Sequence, residues 1–233
     1  MKFATPLSMI TTLGLAASAS ADITGAYVVS YSVSTEDFGG AAVSVNVQDL
    51  YMSSNDAADT LLNVYNFNMA ASGQVAYFQS ATGTGWTPNN LGSIFDTPAL
   101  RMADSFVTIG GFAQDTLMPE QAPGAGSGTG LDPGYGGNTA LYPDMNAGWF
   151  NGSPPNLNGQ VGNVAAAGGG LGLGVLIGRF AFDGVFDQTD STLEVTWNQG
   201  LGTPGNQQQF TVTPAPGVLA LLGLAGLAGR RRR

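Results

Sequence analysis

The sequence predicts an all-β protein, an antiparallel β-sandwich of the jelly-roll or immunoglobulin-like kind with long glycine-rich loops. Short runs of β-branched and aromatic residues recur with a period of two, as in Val43, Val45 and Val47. Clusters of Gly, Asn, Asp and Pro separate these runs, and no segment has a convincing amphipathic helical pattern. Because parallel strands need long crossover connections, many short strands without helices favour antiparallel pairing.

Eight segments of the chain have this strand pattern, and one long region does not. Residues 110–178 hold 19 of the 35 glycines, and a backbone so rich in glycine buries little apolar surface. We therefore expect region 110–178 to consist mainly of long loops between strands. The predicted strands cover residues 23–33, 43–47, 62–69, 76–79, 106–109, 175–182, 193–197 and 209–212.

The composition excludes several classes of enzyme. The chain of 233 residues has no His and no Cys, which removes Ser-His and Cys-His catalytic pairs, thiolate zinc sites and disulfides. It carries 7 Lys and Arg against 16 Asp and Glu, which gives a net charge of −9. An acidic chain of this kind is a poor partner for nucleic acid, so we expect no nucleic-acid binding.

The N-terminus has the three parts of a secretory signal peptide. Lys2 supplies a positive charge, a run of about 11 apolar and small residues follows, and Ala19 and Ala21 frame a small-residue cleavage site. The apolar run is shorter than the roughly 20 residues that cross a bilayer. We expect signal peptidase to remove residues 1–21, so that the exported protein begins at Asp22.

A second targeting pattern follows the body of the chain, residues 22–213. Pro214 and Pro216 keep the backbone extended, because proline lacks an N–H group and fixes φ. The apolar segment 217–229 follows, and as a helix it would be about 20 Å long against a hydrocarbon layer of roughly 30 Å. Residues 230–233 are all Arg, which we expect to stay on the cytoplasmic side of the inner membrane.

This tail, residues 214–233, resembles the PEP-CTERM sorting signal of Gram-negative bacteria. That signal consists of a Pro-Glu-Pro motif, an apolar helix and a basic cluster, and here Ala215 takes the place of the usual Glu. The resemblance implies export, a transient inner-membrane precursor, processing by an exosortase, and an association with extracellular polysaccharide and biofilm. A plain tail anchor is the alternative. The resemblance is carried by Pro214, Ala215, Pro216 and Gly217 in the motif and by Arg230, Arg231, Arg232 and Arg233 in the basic cluster.

Three aromatic residues in loop-like sequence are candidate glycan contacts. Trp86, Trp149 and Phe150 lie in segments rich in Gly, Thr, Pro and Asn, and exposed rings in such surroundings can stack on sugars while their neighbours supply polar contacts. The alternative is that these rings cap one end of the sandwich. Trp197 alternates with the apolar residues of a predicted strand, so we expect it in the core.

Acidic residues supply two further candidate sites. Asp183, Asp187 and Asp190 could provide oxygen ligands for calcium, but they fit no EF-hand or nonapeptide pattern, and turn formation is the alternative. Two carboxylates could also catalyse glycoside hydrolysis, although the sequence marks no particular pair. Apart from calcium, the sequence indicates no cofactor, and it indicates no catalytic residue.

We therefore expect a non-enzymatic protein at the cell surface or in the extracellular matrix of a Gram-negative-type bacterium, sorted by its tail and associated with exopolysaccharide. Two alternatives remain open: a secreted, lectin-like carbohydrate-binding protein and a carboxylate-dependent, glycan-active enzyme such as a glycosidase. Turnover of glycans would identify the enzyme, whereas saturable binding without turnover would identify the lectin-like protein.

Overall fold

Ten β-strands make up the fold in the computed structural model, which confirms the predicted all-β class. The structure describes residues 22–37, 39–69, 86, 102–110, 129–132, 146–152, 157–166, 168–182 and 187–215. The strands are β1 (Ile23–Glu36), β2 (Ala42–Ser54), β3 (Thr60–Asn68), β4 (Phe106–Val107), β5 (Thr129–Leu131), β6 (Ala147–Asn151), β7 (Gly162–Ala165), β8 (Leu171–Phe182), β9 (Thr192–Asn198) and β10 (Asn206–Pro214).

The strands form one sheet in the order β4-β8-β2-β1-β10-β9-β3-β6-β5, and β7 pairs with β8. All of these pairs are antiparallel except β1 with β10, which is parallel. The two outer strands approach each other where the Ile109 N–H donates to Thr129 Oγ1 at 2.8 Å, and the sheet curls into a nearly closed barrel. The sequence predicted two antiparallel sheets, whereas the structure has one mixed sheet.

The parallel pair joins the two ends of the body of the chain. Ala26 and Val28 of β1 lie opposite Val212 and Pro214 of β10. Alternation along a sequence indicates which side chains share a face, but it does not indicate which other strand lies alongside. The sequence pattern therefore predicts the two strands and misses their pairing, and this is why a mixed sheet was not expected.

Apolar side chains from both halves of the sheet fill the barrel interior. Trp149, Phe67 and Phe180 form a series of ring contacts, with centroids 5.9 and 6.0 Å apart. The Trp149 indole N–H donates to the Thr108 carbonyl at 2.9 Å, so its polar atom is satisfied inside the core. Trp197 is 2% exposed, and its predicted place in the core is confirmed. Burying a side chain the size of Phe stabilises a fold by about 1.5–3 kcal/mol.

A buried ion pair fastens β2 to β8 on the outer side of the sheet. Arg179 donates from Nε to Asp49 Oδ1 at 2.7 Å and from Nη2 to Oδ2 at 2.9 Å. The rings of Phe106 and Tyr31 lie beside the guanidinium, with their centres 5.4 and 5.9 Å from its Cζ. Burial alone lowers the pKa of Arg179, but the Asp49 carboxylate more than offsets this and raises the pKa above its ordinary value. The guanidinium is therefore charged.

The glycine-rich region 110–178 contains more strand than the sequence predicted. Within it lie β5, β6, β7 and most of β8. Close packing requires glycine at several of these positions: a Cβ on Gly130 would collide with the Phe150 ring, and one on Gly174 would collide with the Met52 carbonyl oxygen. Some glycines of this region therefore allow strands to approach closely, while the expectation that the whole region is mainly loop stays a prediction.

Several sequence predictions concern residues outside the described ranges and stay predictions. They are the signal peptide with Ala19 and Ala21, the strand at 76–79, the calcium candidate Asp183, and the sorting tail from residue 216 onward. In the part of the chain that the structure describes, no helix is long and apolar enough to cross a membrane.

Removing one partner of the buried ion pair should strongly destabilise the fold. We expect Asp49→Asn to lower the free energy of unfolding by about 3–5 kcal/mol, because the buried guanidinium loses its countercharge. The double variant Asp49→Leu, Arg179→Met leaves no buried charge and should cost less than Asp49→Asn alone. Urea denaturation followed by tryptophan fluorescence measures both effects. A double variant less stable than the single one would contradict this account of the pair.

Candidate functional site

An exposed polar surface covers the outer side of β6, β3, β9 and β10. In β9 the apolar residues Leu193, Val195 and Trp197 point into the barrel, so Glu194 and Thr196 point outward and are half-buried. This alternation is the usual result of a strand with one face on the core. We call the surface the amide face, and it consists of Asn63, Asn66, Phe150, Glu194, Thr196 and Gln207.

A carboxylate held by two side-chain amides lies on this face. Asn66 Nδ2 donates to Glu194 Oε1 at 3.0 Å, and Gln207 Nε2 donates to Oε2 at 3.3 Å. The hydrogen bond from Asn66 contributes most to lowering the pKa of Glu194, and the bond from Gln207 adds to it. The carboxylate is therefore ionised at neutral pH and fixed in orientation.

An irregularity in β3 places Asn66 beside this carboxylate. The pairing of β3 with β9 shifts register between Tyr65 and Asn68, and Asn66 has a φ of 48°. Asn tolerates this left-handed conformation better than most residues, and a β-bulge changes the direction in which a side chain points. Asn68 Nδ2 donates to the Asn66 carbonyl at 2.8 Å and stabilises the bend. The sequence thus builds a local distortion that directs one amide at Glu194.

A row of four side chains crosses the amide face from strand to strand. Phe150 lies opposite Asn63, Asn63 opposite Thr196, and Thr196 opposite Gln207. The Thr196 hydroxyl donates to Asn63 Oδ1 at 2.5 Å. With strands about 4.8 Å apart, the row is about 14 Å long. Phe150 is 45% exposed and packs over Gly130, so a ring lies at one end of the row and amides lie along the rest.

The chemistry of this face suits a ligand rich in hydroxyl groups. Amides both donate and accept hydrogen bonds, the Glu194 carboxylate accepts them, and the Phe150 ring offers a surface for stacking on the apolar side of a sugar. Burial raises the pKa of the adjacent Tyr65, and the charge on Glu194 raises it further, so this phenol stays neutral. Among the six residues of the amide face, Glu194 is the one that carries a carboxylate.

Two of the three predicted glycan contacts are buried. Trp86 is 0% and Trp149 is 1% exposed, and both belong to the main apolar core. The structure thus favours the packing alternative for both tryptophans and leaves Phe150 as the exposed ring. Trp149 and Phe150 are neighbours in β6, so their side chains point to opposite faces. The glycines around Trp149 and Phe150 led us to predict a loop there. Because side chains alternate between faces only in a strand, the sequence did not indicate that one ring is buried and the other exposed.

The three amide-bearing residues that carry the site were not predicted from the sequence. Asn63 and Asn66 lie far from Glu194 along the chain, and Asn66 is separated from it by 128 residues, whereas Gln207 is 13 residues away on the next strand. The one available signal was the alternation in β9, which places Glu194 on the outer face. The hydrogen-bond partners of Glu194 can be identified only when the order of the strands in the sheet is known.

The calcium candidates have structural roles where the structure describes them. Asp187 Oδ1 accepts hydrogen bonds from the Thr189 N–H and hydroxyl and from Gln48 Nε2. Burial raises the pKa of Asp187, but the bonds from Thr189 lower it more, and the net shift is downward. Asp190 has a φ of 70° in the same turn. Among the described residues, no group of three or more Asp, Glu, His or Cys side chains could hold a metal ion.

A buried carboxyl group lies at the end of the barrel where β3 begins. Asp59 is 0% exposed, its Oδ2 accepts from the Ser54 hydroxyl at 2.7 Å, and its Oδ1 has no partner among the described residues. Burial raises the pKa of Asp59, and the hydrogen bond from Ser54 opposes this only in part. A surface cavity of about 330 Å³ lies next to it, between the exposed side chains of Leu157 and Leu201.

The chain matches no protein-family model, no curated protein and no solved structure. Function is therefore inferred from the residues of this chain alone.

The buried Asp59 should make stability depend on pH. Its folded pKa is raised, so its contribution to stability is fully present below its unfolded pKa of about 3.9 and is lost as the pH rises through the folded value. We expect Asp59→Asn to reduce the loss of unfolding free energy between pH 4 and pH 7, because the amide carries no charge to bury. Denaturation at both pH values measures this, and Glu36→Gln, at an exposed position of β1, controls for the removal of one negative charge. An unchanged pH dependence in Asp59→Asn would contradict the prediction.

Proposed function

We propose that this chain is an exported, non-enzymatic cell-surface or extracellular-matrix protein that binds extracellular polysaccharide through the amide face. The observation that carries this proposal is the exposed network in which Asn66 and Gln207 hold Glu194. Surface side chains are usually free to change rotamer, and each one loses entropy when a ligand fixes it. Here neighbouring side chains already hold these groups, so binding costs less.

The geometry of the face supports an extended ligand. The row from Phe150 to Gln207 crosses four strands, and its two end residues are exposed. A polymer lying along this row would stack one sugar on Phe150 and place the hydroxyl groups of the next sugars over Asn63, Thr196 and Gln207. Each contact is weak alone, with a net value of about 1 kcal/mol for a hydrogen bond. Several in a row give useful affinity for a polymer and little for a single sugar.

The charge of the protein supports a neutral polysaccharide as the ligand. Between residues 22 and 213 the chain has two basic and sixteen acidic side chains. Glu194, one of these sixteen, places a negative charge on the amide face, and no basic side chain among the described residues belongs to that face. A polyanionic polymer would be repelled, whereas uncharged hydroxyl groups can donate to Glu194.

We further propose that the tail directs the protein to the surface by PEP-CTERM-type sorting. The final strand, β10, ends at Pro214, and the Ala215 N–H donates to the Val28 carbonyl, so the Pro-Ala-Pro motif begins within the last strand of the body. A processing enzyme such as an exosortase needs an extended segment close to the membrane, and proline excludes helix there. Mass spectrometry of the mature protein from its native host tests this proposal. Loss of residues 230–233 is the expected result, and a mature chain that still ends at Arg233 would leave only the plain anchor.

A glycan-active enzyme is the competing hypothesis, and the described carboxyl groups give it little support. Asp59 has the raised pKa that a general acid needs, but it is fully buried. Glu194 is exposed, but its pKa is lowered and amides surround it. Incubation with a panel of glycans decides between the hypotheses. Turnover that one Asp→Asn substitution abolishes would overturn the non-enzymatic proposal.

Substitutions on the amide face should weaken binding to a neutral polysaccharide. We expect Gln207→Ala and Phe150→Ala each to lower the affinity about fivefold, as the loss of about 1 kcal/mol predicts. Affinity electrophoresis in gels that contain xyloglucan or glucomannan measures this, and alginate serves as the polyanionic comparison.

The next residue along β10 provides a matched control. Gln208 is exposed like Gln207 but lies opposite Val195, on the other face of the sheet. Gln208→Ala should therefore bind as the unmodified chain does. Equal losses in the Gln207→Ala and Gln208→Ala variants would show that the amide face is not the binding site.

A further inference from the structure

The edge of β1 is open beyond the point where β10 stops. The last hydrogen bond between these neighbours runs from the Ala215 N–H to the Val28 carbonyl, at 3.1 Å. β1 continues for eight more residues, to Glu36, and β2 pairs with it along its other side. Among the described residues, no strand pairs with the free side of β1 from Ser30 onward.

The backbone groups of three serines point outward along this edge. In a strand the N–H and C=O of one residue point to the same side, and the side alternates from residue to residue. The Val28 carbonyl points toward β10. The N–H and C=O groups of Ser30, Ser32 and Ser34 therefore point the same way, where β10 no longer runs. All three serine side chains are exposed.

Within the described residues, this stretch has none of the features that protect natural sheet edges. Edge strands usually carry Lys, Pro, a β-bulge or a covering segment that prevents pairing with another chain. Residues 29–35 contain no charged residue and no proline. The register shift in β1 lies between Ile23 and Gly25, well before the open edge.

The sequence along the edge is almost symmetrical about its middle residue. It reads Ser30-Tyr31-Ser32-Val33-Ser34. If a second copy pairs antiparallel about Ser32, polar residues lie opposite polar residues and the apolar pair Tyr31 and Val33 lies on the other face. The backbone groups are also complementary. Ser32 lies opposite Ser32 of the second copy, so the N–H of each residue can donate to the C=O of the other.

We propose that this chain associates with a second copy of itself through antiparallel pairing of β1 edges, centred on Ser32. Two-fold pairing of one surface with itself is the commonest form of self-association, and a self-complementary sequence suits it. The paired segment spans residues 29–35 of each copy. It is separate from the amide face, so it does not depend on the proposed function.

Disulfide trapping gives a direct test, because the native chain has no cysteine. Directly opposed residues of a hydrogen-bonded pair have Cα atoms about 5.5 Å apart, within the range that a disulfide bridges. In protein exported by the native host, Ser32→Cys should form a covalent dimer on mild oxidation. Ser44→Cys is the matched control, since Ser44 is exposed on the neighbouring strand β2 and lies away from the edge. Equal crosslinking at both positions, or none at Ser32→Cys, would overturn the proposal.

A charge-exchange experiment tests the register without a covalent bond. Ser32→Lys places like charges opposite each other and should weaken self-association about tenfold, as should Ser32→Glu. An equal mixture of the two variants should associate again, while Ser44→Lys should associate as the unmodified chain does. Sedimentation measures each case. Three results would each overturn the proposal. The Ser32→Lys variant could associate normally, the unmodified chain could stay monomeric, or the chain could associate only after residues 217–233 are removed. The last result would identify the chain's own tail as the occupant of the edge.

Discussion

The parallel pairing of β1 with β10 is the interaction on which the rest of the structure depends. It joins five strands, β4, β7, β8, β2 and β1, to the five strands from β10 to β5, and it does so through only three facing residue pairs. Because the sheet is continuous across this contact, apolar side chains from both halves pack in a single interior. Without the pairing of β1 with β10 there would be two sheets, and β1 and β10 would be their open edges.

The same pairing sets the position of both proposed surfaces. β10 lies between β1 and β9, which brings Gln207 to the row of residues beside Glu194. β10 ends at Pro214, and in the part of the chain that the structure describes no strand pairs with the second half of β1 on that side. If two copies pair through this edge, each dimer carries two amide faces, and a polymer that reaches both is held more tightly than by either alone.

The strands could largely be predicted from the sequence, and the candidate site could not. Alternation places Val43, Val45 and Val47 on one face, and the structure has a strand there. The contact between Asn66 and Glu194 depends on strand order and on a local bend with positive φ, and neither leaves a periodic signal. The composition was similarly ambiguous, because glycine occurs both in turns and where strands pack closely.

If the amide face binds a neutral polysaccharide, the polymer must contact the side-chain amides of this face. Side-chain NMR detects such contacts one amide at a time. The NH₂ signals of Asn and Gln report on each amide separately in protein labelled with nitrogen-15. On addition of xyloglucan, we expect saturable shifts of the Asn63, Asn66 and Gln207 signals, with the Gln208 signal unchanged. Shifts confined to residues outside the amide face, or no shift at saturating polymer, would contradict binding at this face.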